Sequence, residues 1–273
     1  MDVGTMAVQA QARPESSSPI AVPKHDDGKE RIPSLTFSVL TKEVEKQDAM
    51  RLVTDSIAQQ RQVASFSVIV HPACLTGLVA GCASIYRLHA KRDFGTALIM
   101  MCGLAIAYLA AVRLLTANYI RLAENLKWKQ WVANPDGNDD YILAARFGEE
   151  IIATVVLRIT KAPAASTTKK TRPSSFKGGS GVIRAWTTKY KYRNKGIGGD
   201  MLRLAVLTTR SKCGHDARVA FDPEHANSAR PLHDMFNRPF VERAERASVA
   251  LEHAVAACDR GESSFQADCP RTG

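Results

Sequence analysis

The chain has no CxxC pair and no cysteine–histidine spacing that would hold a metal, which excludes zinc modules. It has no GxxxxGK followed by Ser or Thr, so it carries no P-loop, and a dinucleotide fingerprint fails because Met201 stands where a third glycine is needed. No zinc finger and no aromatic-basic RNP pattern supports a nucleic-acid partner. The start lacks the basic segment and apolar core of a cleaved secretory signal. Residues 1–33 are poor in bulky apolar side chains and rich in Ala, Pro, Ser and charge, so they are expected to be disordered, as are residues 259–273. No internal repeat is evident.

What is present begins with 273 residues, enough for one large or two small domains, with an ordinary apolar share of 45%. A formal net charge of +10 admits nucleic acid, an acidic ligand or a membrane surface as partner. Of the six cysteines, Cys74, Cys82 and Cys102 sit in apolar runs and read as small hydrophobes. With Cys213, Cys258 and Cys269 they are expected to be free thiols, a Cys258–Cys269 disulfide being the alternative.

Two stretches, Val63 to Tyr86 and Phe94 to Val112, carry no charge. About 20 helical residues cross the hydrocarbon of a bilayer, so both have spanning length. Only RLHAKRD, Arg87 to Asp93, separates them, which makes a hairpin over 63–116. Pro72 belongs in a first helical turn and would start the first helix there, ending near Leu88. All-round apolarity leaves no wet face and favours a bilayer over a buried soluble hairpin. The flanking segments carry more Lys and Arg than the hairpin turn, which places both ends in the cytosol, although Arg87, Lys91 and Arg92 weaken the bias.

Around the hairpin, Leu35 to Leu40 alternates as a half-buried strand, and Glu45 to Arg61 reads as a helix with Ala49, Leu52, Val53, Ile57 and Ala58 on one stripe. These form a first segment, 34–62. After the hairpin, a domain core over 117–240 opens with "NYIRLAENLKWKQWV", an amphipathic stretch. Its Trp128 and Trp131 read either as interfacial anchors or as core contacts. Asp140 to Ile159 is a strand hairpin turning at Gly148, residues 160–180 form a basic flexible loop, and Gly181 to Thr188 resumes strand character.

"YKYRNKGIGGDMLRLAVL", Tyr190 to Leu207, then places Arg193, Lys195 and three glycines before an apolar-periodic helix expected from about Gly199 to Cys213, stopping at Gly214. Gly196 and Gly198 permit positive φ and close approach of a ligand, and the helix start favours an anion. Asp200 complements the dipole but would repel a phosphate aimed at it.

Arg-x-x-Gly-x-Gly on Arg193, Gly196 and Gly198, between strand and helix, resembles the acyl-CoA pyrophosphate loop of the GNAT superfamily of N-acetyltransferases. The order of elements resembles the membrane-anchored branch that includes the cysteine-S-conjugate N-acetyltransferase of the endoplasmic reticulum. The resemblance in layout covers about Leu35 to Phe240, and at residue level Arg193 to Gly198. It implies a GNAT-like mixed α/β sheet with flanking helices, interrupted by a two-helix transmembrane hairpin, with its catalytic face in the cytosol. It implies acetyl-CoA as co-substrate and a primary amine, on a small-molecule conjugate or a protein lysine, as acceptor.

The resemblance further assigns Trp186, Thr187 and Thr188 to the pantetheine arm and the oxyanion, and the main chain of Asn194, Lys195, Gly196, Ile197, Gly198 and Gly199 to the pyrophosphate. "ARVAFD", Ala217 to Asp222, reads as the next strand, and "NSARPLHDMF" as the family's following helix. There His233 stands where the family carries a tyrosine; it is a candidate acid or a plain surface residue. Asp222 and Glu224 are candidate bases or caps. Where the family closes with two more strands, residues 241–258 are spaced as a helix, so the acceptor side is truncated or rebuilt. The alternative is a degenerate GNAT-like membrane or scaffold protein.

Overall fold

The computed structural model describes residues 34–134, 137, 139–161 and 176–261. The expected tail 1–33, residues 262–273 of the expected C-terminal tail and most of the basic loop therefore lie outside the described residues, while Asp259, placed in that tail, closes the last helix. The chain is a mixed α/β fold around a five-stranded sheet ordered β1-β2-β3-β4-β5. The strands are β1 (Leu35–Val39), β2 (Tyr141–Phe147), β3 (Glu150–Thr160), β4 (Ser180–Thr188) and β5 (Val219–Phe221). The first four pair antiparallel in sequence, and β5 returns parallel to β4 after a crossover helix.

Helices cover both faces of the sheet. On one side lies α1 (Glu43–Ile69) with the short α4 (Asn118–Glu124) and α5 (Trp128–Val132); on the other lie α6 (Ile197–Cys213) and α7 (Arg238–Asp259). Alternation along β2 divides the core. Leu143 and Ala145 join Met201, Leu202, Leu204, Leu251 and Ala254 beneath α6 and α7. Ile142 and Ala144 join Ala49, Met50, Val53 and Ile57 of α1. Because both faces of β3 are covered, "IIATVVL" is apolar but for Thr154, whose hydroxyl donates to the Leu143 carbonyl at 3.0 Å.

The helix expected to end at Arg61 runs on to Ile69, since Ala64, Ser67 and Val68 continue its buried stripe. The charge-free run from Val63 is thus no single helix. It breaks at Val70 and His71, and α2 (Pro72–His89) leaves at 56° to α1. The His71 side chain caps it and Pro72 occupies its first turn, as expected. After the turn, α3 (Phe94–Leu115) returns antiparallel to α1, fixed by the Tyr108 hydroxyl donating to the carbonyls of Val68 and Ile69.

No residue of α2 is buried, and only Ala97 and Val112 of α3 are. The stretch Phe94–Glu124 is long and apolar enough to cross a membrane, and α1 with α2 passes only as a bent pair.

The structure also decides three further readings. The amphipathic stretch after the hairpin forms two short helices separated at Asn125–Lys127. Trp128 and Trp131 pack against the α1-side core. "NSARPLHDMF" forms no α-helix: it is irregular to His233 and then a single 3-10 turn, Asp234–Phe236. Pro231 lacks the amide a continuing helix would need and pushes Arg230 from helical angles. The C-terminal helix is present and longer than expected.

Candidate functional site

Strand β5 pairs only with Gly181, Val182 and Ile183 of β4. Beyond Ile183 the two strands part. The Asp222 amide donates to the Ile183 carbonyl and the Ala226 amide to the Arg184 carbonyl, and from Ala185 to Thr188 that edge of β4 has no strand beside it among the described residues. The parting coincides with a bulge: Ala185 faces Val156 while Ile183 faces Leu157, so Arg184 is the extra residue.

At the end of β4 the chain makes a 3-10 turn, Tyr190–Tyr192, held to β3 by Glu150, which accepts from Lys189 Nζ at 2.6 Å and the Tyr192 hydroxyl at 3.1 Å. The hydrogen bond from Lys189, ahead of other causes, keeps the Glu150 carboxyl below its ordinary value. The glycine loop follows, with two residues in the left-handed region, Asn194 at φ 61° and Gly196 at φ 82°. Asparagine tolerates that conformation and glycine adopts it freely.

This winding leaves the amides of Asn194, Lys195, Gly196, Ile197 and Gly198 with no acceptor among the described residues. The first paired amides are those of Gly199 and Asp200, both on the Gly196 carbonyl at 2.9 and 3.2 Å. A row of unpaired amides at the start of a long helix is an anion-binding arrangement.

The expected side chains play structural parts around that row. Trp186 lies over the loop: its indole Nε1 donates to the Gly198 carbonyl at 3.1 Å, and a Cβ added at Gly198 would sit 3.1 Å from its ring. Gly198 is therefore a glycine because the indole covers it. Thr187 is buried and Thr188 half-buried. Arg193 donates through Nε to the Thr188 carbonyl at 2.9 Å and through Nη2 to Gln59 Oε1 on α1 at 2.7 Å. Lys195 lies 5.4 Å above the Tyr192 ring.

Helix α7 adds Arg243, whose pKa is lowered first by burial and then by repulsion from Arg193 and Arg246, so further positive charge acts near the loop. Asp200 opposes it. Burial raises the Asp200 carboxyl, partly offset by Arg203.

The candidate acids and bases make no hydrogen bond or ion pair with the loop among the described residues. His233 is exposed and accepts from the Met235 amide through Nδ1, capping the 3-10 turn. Its neighbours Leu232 and Phe236 pack with Val68 and Tyr119 at the hairpin side of the fold. Asp222 turns the chain after β5, accepting from the Glu224 amide at 2.9 Å and facing Arg184 Nε at 3.4 Å; Glu224 is exposed.

Sequence reasoning missed a buried charge network at the bulge. Asp140, fully enclosed, accepts from Arg158 Nε at 2.7 Å and Nη2 at 3.2 Å, and from Arg184 Nη1 at 2.7 Å. Arg184 Nη1 also donates to the Trp131 carbonyl, and its guanidinium lies 4.0 Å over the Trp131 ring. The network sets the position of β4 just ahead of Trp186. An arginine inside the apolar strand "GVIRAWTT" was the available signal.

No family model matches the chain, and no curated protein matches it. Among solved structures, an integron cassette protein from the mobile metagenome of V. cholerae is similar over 40% of this chain and 52% of that one, at 15% identity and a TM-score of 0.25. That match spans about half of the cassette protein and is too loose to bear on fold or function.

Proposed function

We propose that the protein is a membrane-anchored N-acetyltransferase that binds acetyl-CoA across the glycine loop and the open edge of β4. The observation that carries this is the row of amides from Asn194 to Gly198 that are unpaired among the described residues, next to a strand edge with no described neighbour. A diphosphate takes the amides and the helix dipole, and an extended pantetheine arm takes the backbone edge from Ala185 to Thr188, as an added strand would.

In the reaction, a neutral primary amine attacks the thioester carbonyl. The carbon–nitrogen bond forms, the carbon–sulfur bond breaks, and the amine's proton leaves while the departing thiolate takes one up. Main-chain amides of the β4 edge face the oxygen that gains charge. The acceptor class remains a small-molecule conjugate or a protein lysine.

The hairpin is the anchor in this reading. At about 1.5 Å per residue, α2 and α3 measure roughly 27 and 33 Å, close to the roughly 30 Å of bilayer hydrocarbon. Exposed Leu75, Val79, Leu98, Ile99, Ile106 and Leu109 face that hydrocarbon. The sheet domain then lies on the cytosolic side of the endoplasmic reticulum or another endomembrane.

Isothermal titration of the detergent-solubilised full chain with acetyl-CoA tests the reading. Saturable binding that Gly198→Trp abolishes supports it; no heat from the native protein refutes it. A second reading, a degenerate GNAT-like scaffold, draws on α7 standing where the family has strands and on His233 acting as a cap. Acetyl transfer to cysteine conjugates or lysine peptides, lost in Gly196→Trp, removes that reading.

A further inference from the structure

A groove of about 890 Å³ runs between α1 and α3, open along its length. Its size is that of a ligand site. Its walls change character along their length. On α1 the side nearer the sheet presents Asp55, Gln59 and Arg61, and the side nearer the hairpin presents Ile69; on α3 the same order runs from Arg113 to Leu109 and Ile106. The levels match because Arg61 Nη2 donates to the Arg113 carbonyl at 3.3 Å, while Tyr108 reaches Val68 and Ile69 further out. The polar-to-apolar boundary therefore falls at one height on both helices.

We propose that this groove holds one zwitterionic phospholipid, with its phosphate on Arg61 and Arg113, its ammonium toward Asp55, and an acyl chain along Ile69, Ile106 and Leu109. The inference rests on the hairpin lying in a bilayer, as proposed above. Charge complementarity selects the occupant. Neither Arg61 nor Arg113 has a carboxylate partner among the described residues, so two uncompensated guanidinium charges stand on the groove. Arg61 spends Nε and Nη2 on Thr116 Oγ1 and the Arg113 carbonyl, which capture no negative charge. Arg113 is exposed and its guanidinium has no partner among the described residues.

Among the lining residues Asp55 is the single carboxylate, about 9 Å along α1 from Arg61. An acid and two bases so spaced match a dipolar head group rather than a purely anionic one. From Arg61 to Ile69 the helix advances about 12 Å, a length of apolar wall suited to the upper part of an acyl chain. A second copy of the chain would have to bring an acid to the arginines and an apolar strip to the same open groove.

The test uses the full chain, delipidated in a non-phospholipid detergent and titrated with dioleoyl phosphatidylethanolamine or dioleoyl phosphatidylglycerol, with bound lipid counted by native mass spectrometry. One ethanolamine lipid per chain is expected, held at least fivefold more than the glycerol lipid. Arg113→Gln and Ile106→Trp are each expected to lower occupancy at least fivefold. Both side chains are exposed, so these variants keep the fold, checked by an unchanged Tm. Asp55→Asn is expected to erase the preference between lipids. Equal retention by all variants overturns the proposal, as does a doubled mass with no lipid adduct. Flotation with phosphatidylcholine vesicles separates the two claims: a chain that floats but retains no single lipid keeps the anchor and loses the groove, and one that does not float loses the anchor.

Discussion

Replacing Asp140 with alanine tests the buried charge network most directly. Its carboxylate is fully enclosed and accepts three hydrogen bonds from two guanidinium groups. In Asp140→Ala, Arg158 keeps no carboxylate of this network, and Arg184 keeps only Asp222, at 3.4 Å. Removing one partner of a buried ion pair costs about 3–5 kcal/mol, because the stranded charge stays desolvated. For a chain of this size each kcal/mol lowers Tm by roughly 2–4 °C, so a fall on the order of 10 °C is expected. The assay is thermal unfolding of the detergent-solubilised chain followed by near-ultraviolet circular dichroism. Trp131 should also change its emission once Arg184 no longer lies over its ring. Asp140→Asn, which keeps an acceptor but not the charge, is expected to fall between the two. A Tm within about 2 °C of native for Asp140→Ala would refute the claim that this network positions β4.

Three further outcomes are expected. Gly196→Ala forces a side chain into the left-handed region, where nothing crowds the Cβ, so its cost is the backbone strain of about 1–2 kcal/mol; urea unfolding checks this, and an unchanged midpoint contradicts the loop geometry. Asp200 has a raised folded pKa, so its contribution is full below the unfolded value near 3.8 and is lost as pH rises through the folded value. Asp200→Asn should therefore gain in Tm relative to native at pH 7 compared with pH 3, and should bind acetyl-CoA several-fold tighter; a gain larger at pH 3 reverses the assignment. Glu150 is held below its ordinary value, so its stabilisation is present above about pH 4.5 and is lost as pH falls through the lower folded value. The effect is small because the pair with Lys189 is half-exposed, and Glu150→Gln should flatten that acid limb in a Tm-against-pH series.

The sheet and its order of helices were legible because alternation and helical spacing act locally. Leu143 and Ile142 fall on opposite faces as their positions dictate, and Gly214 ends α6 where expected. What failed to read locally was decided by distant contacts. Arg61 looked like the end of a helix, yet Ala64 and Val68 find Tyr119 and Phe240 to pack against, and α1 continues. His233 looked like a helix residue because its neighbours fit a pattern, while Pro231 and the capping bond to Met235 hold that segment in turns. The loop was visible as Arg193, Gly196 and Gly198, but the bond from Arg193 to Gln59 joins positions 134 residues apart and no local pattern reveals it.

That bond has a mechanical consequence. Helix α1 is one uninterrupted rod of about 40 Å, with its near end under the sheet and its far end at the hairpin. The sheet domain cannot swivel freely on a slack tether. Its stance to the base of the hairpin is set by the rod, and the Gln59–Arg193 bond ties the middle of that rod to the loop before α6.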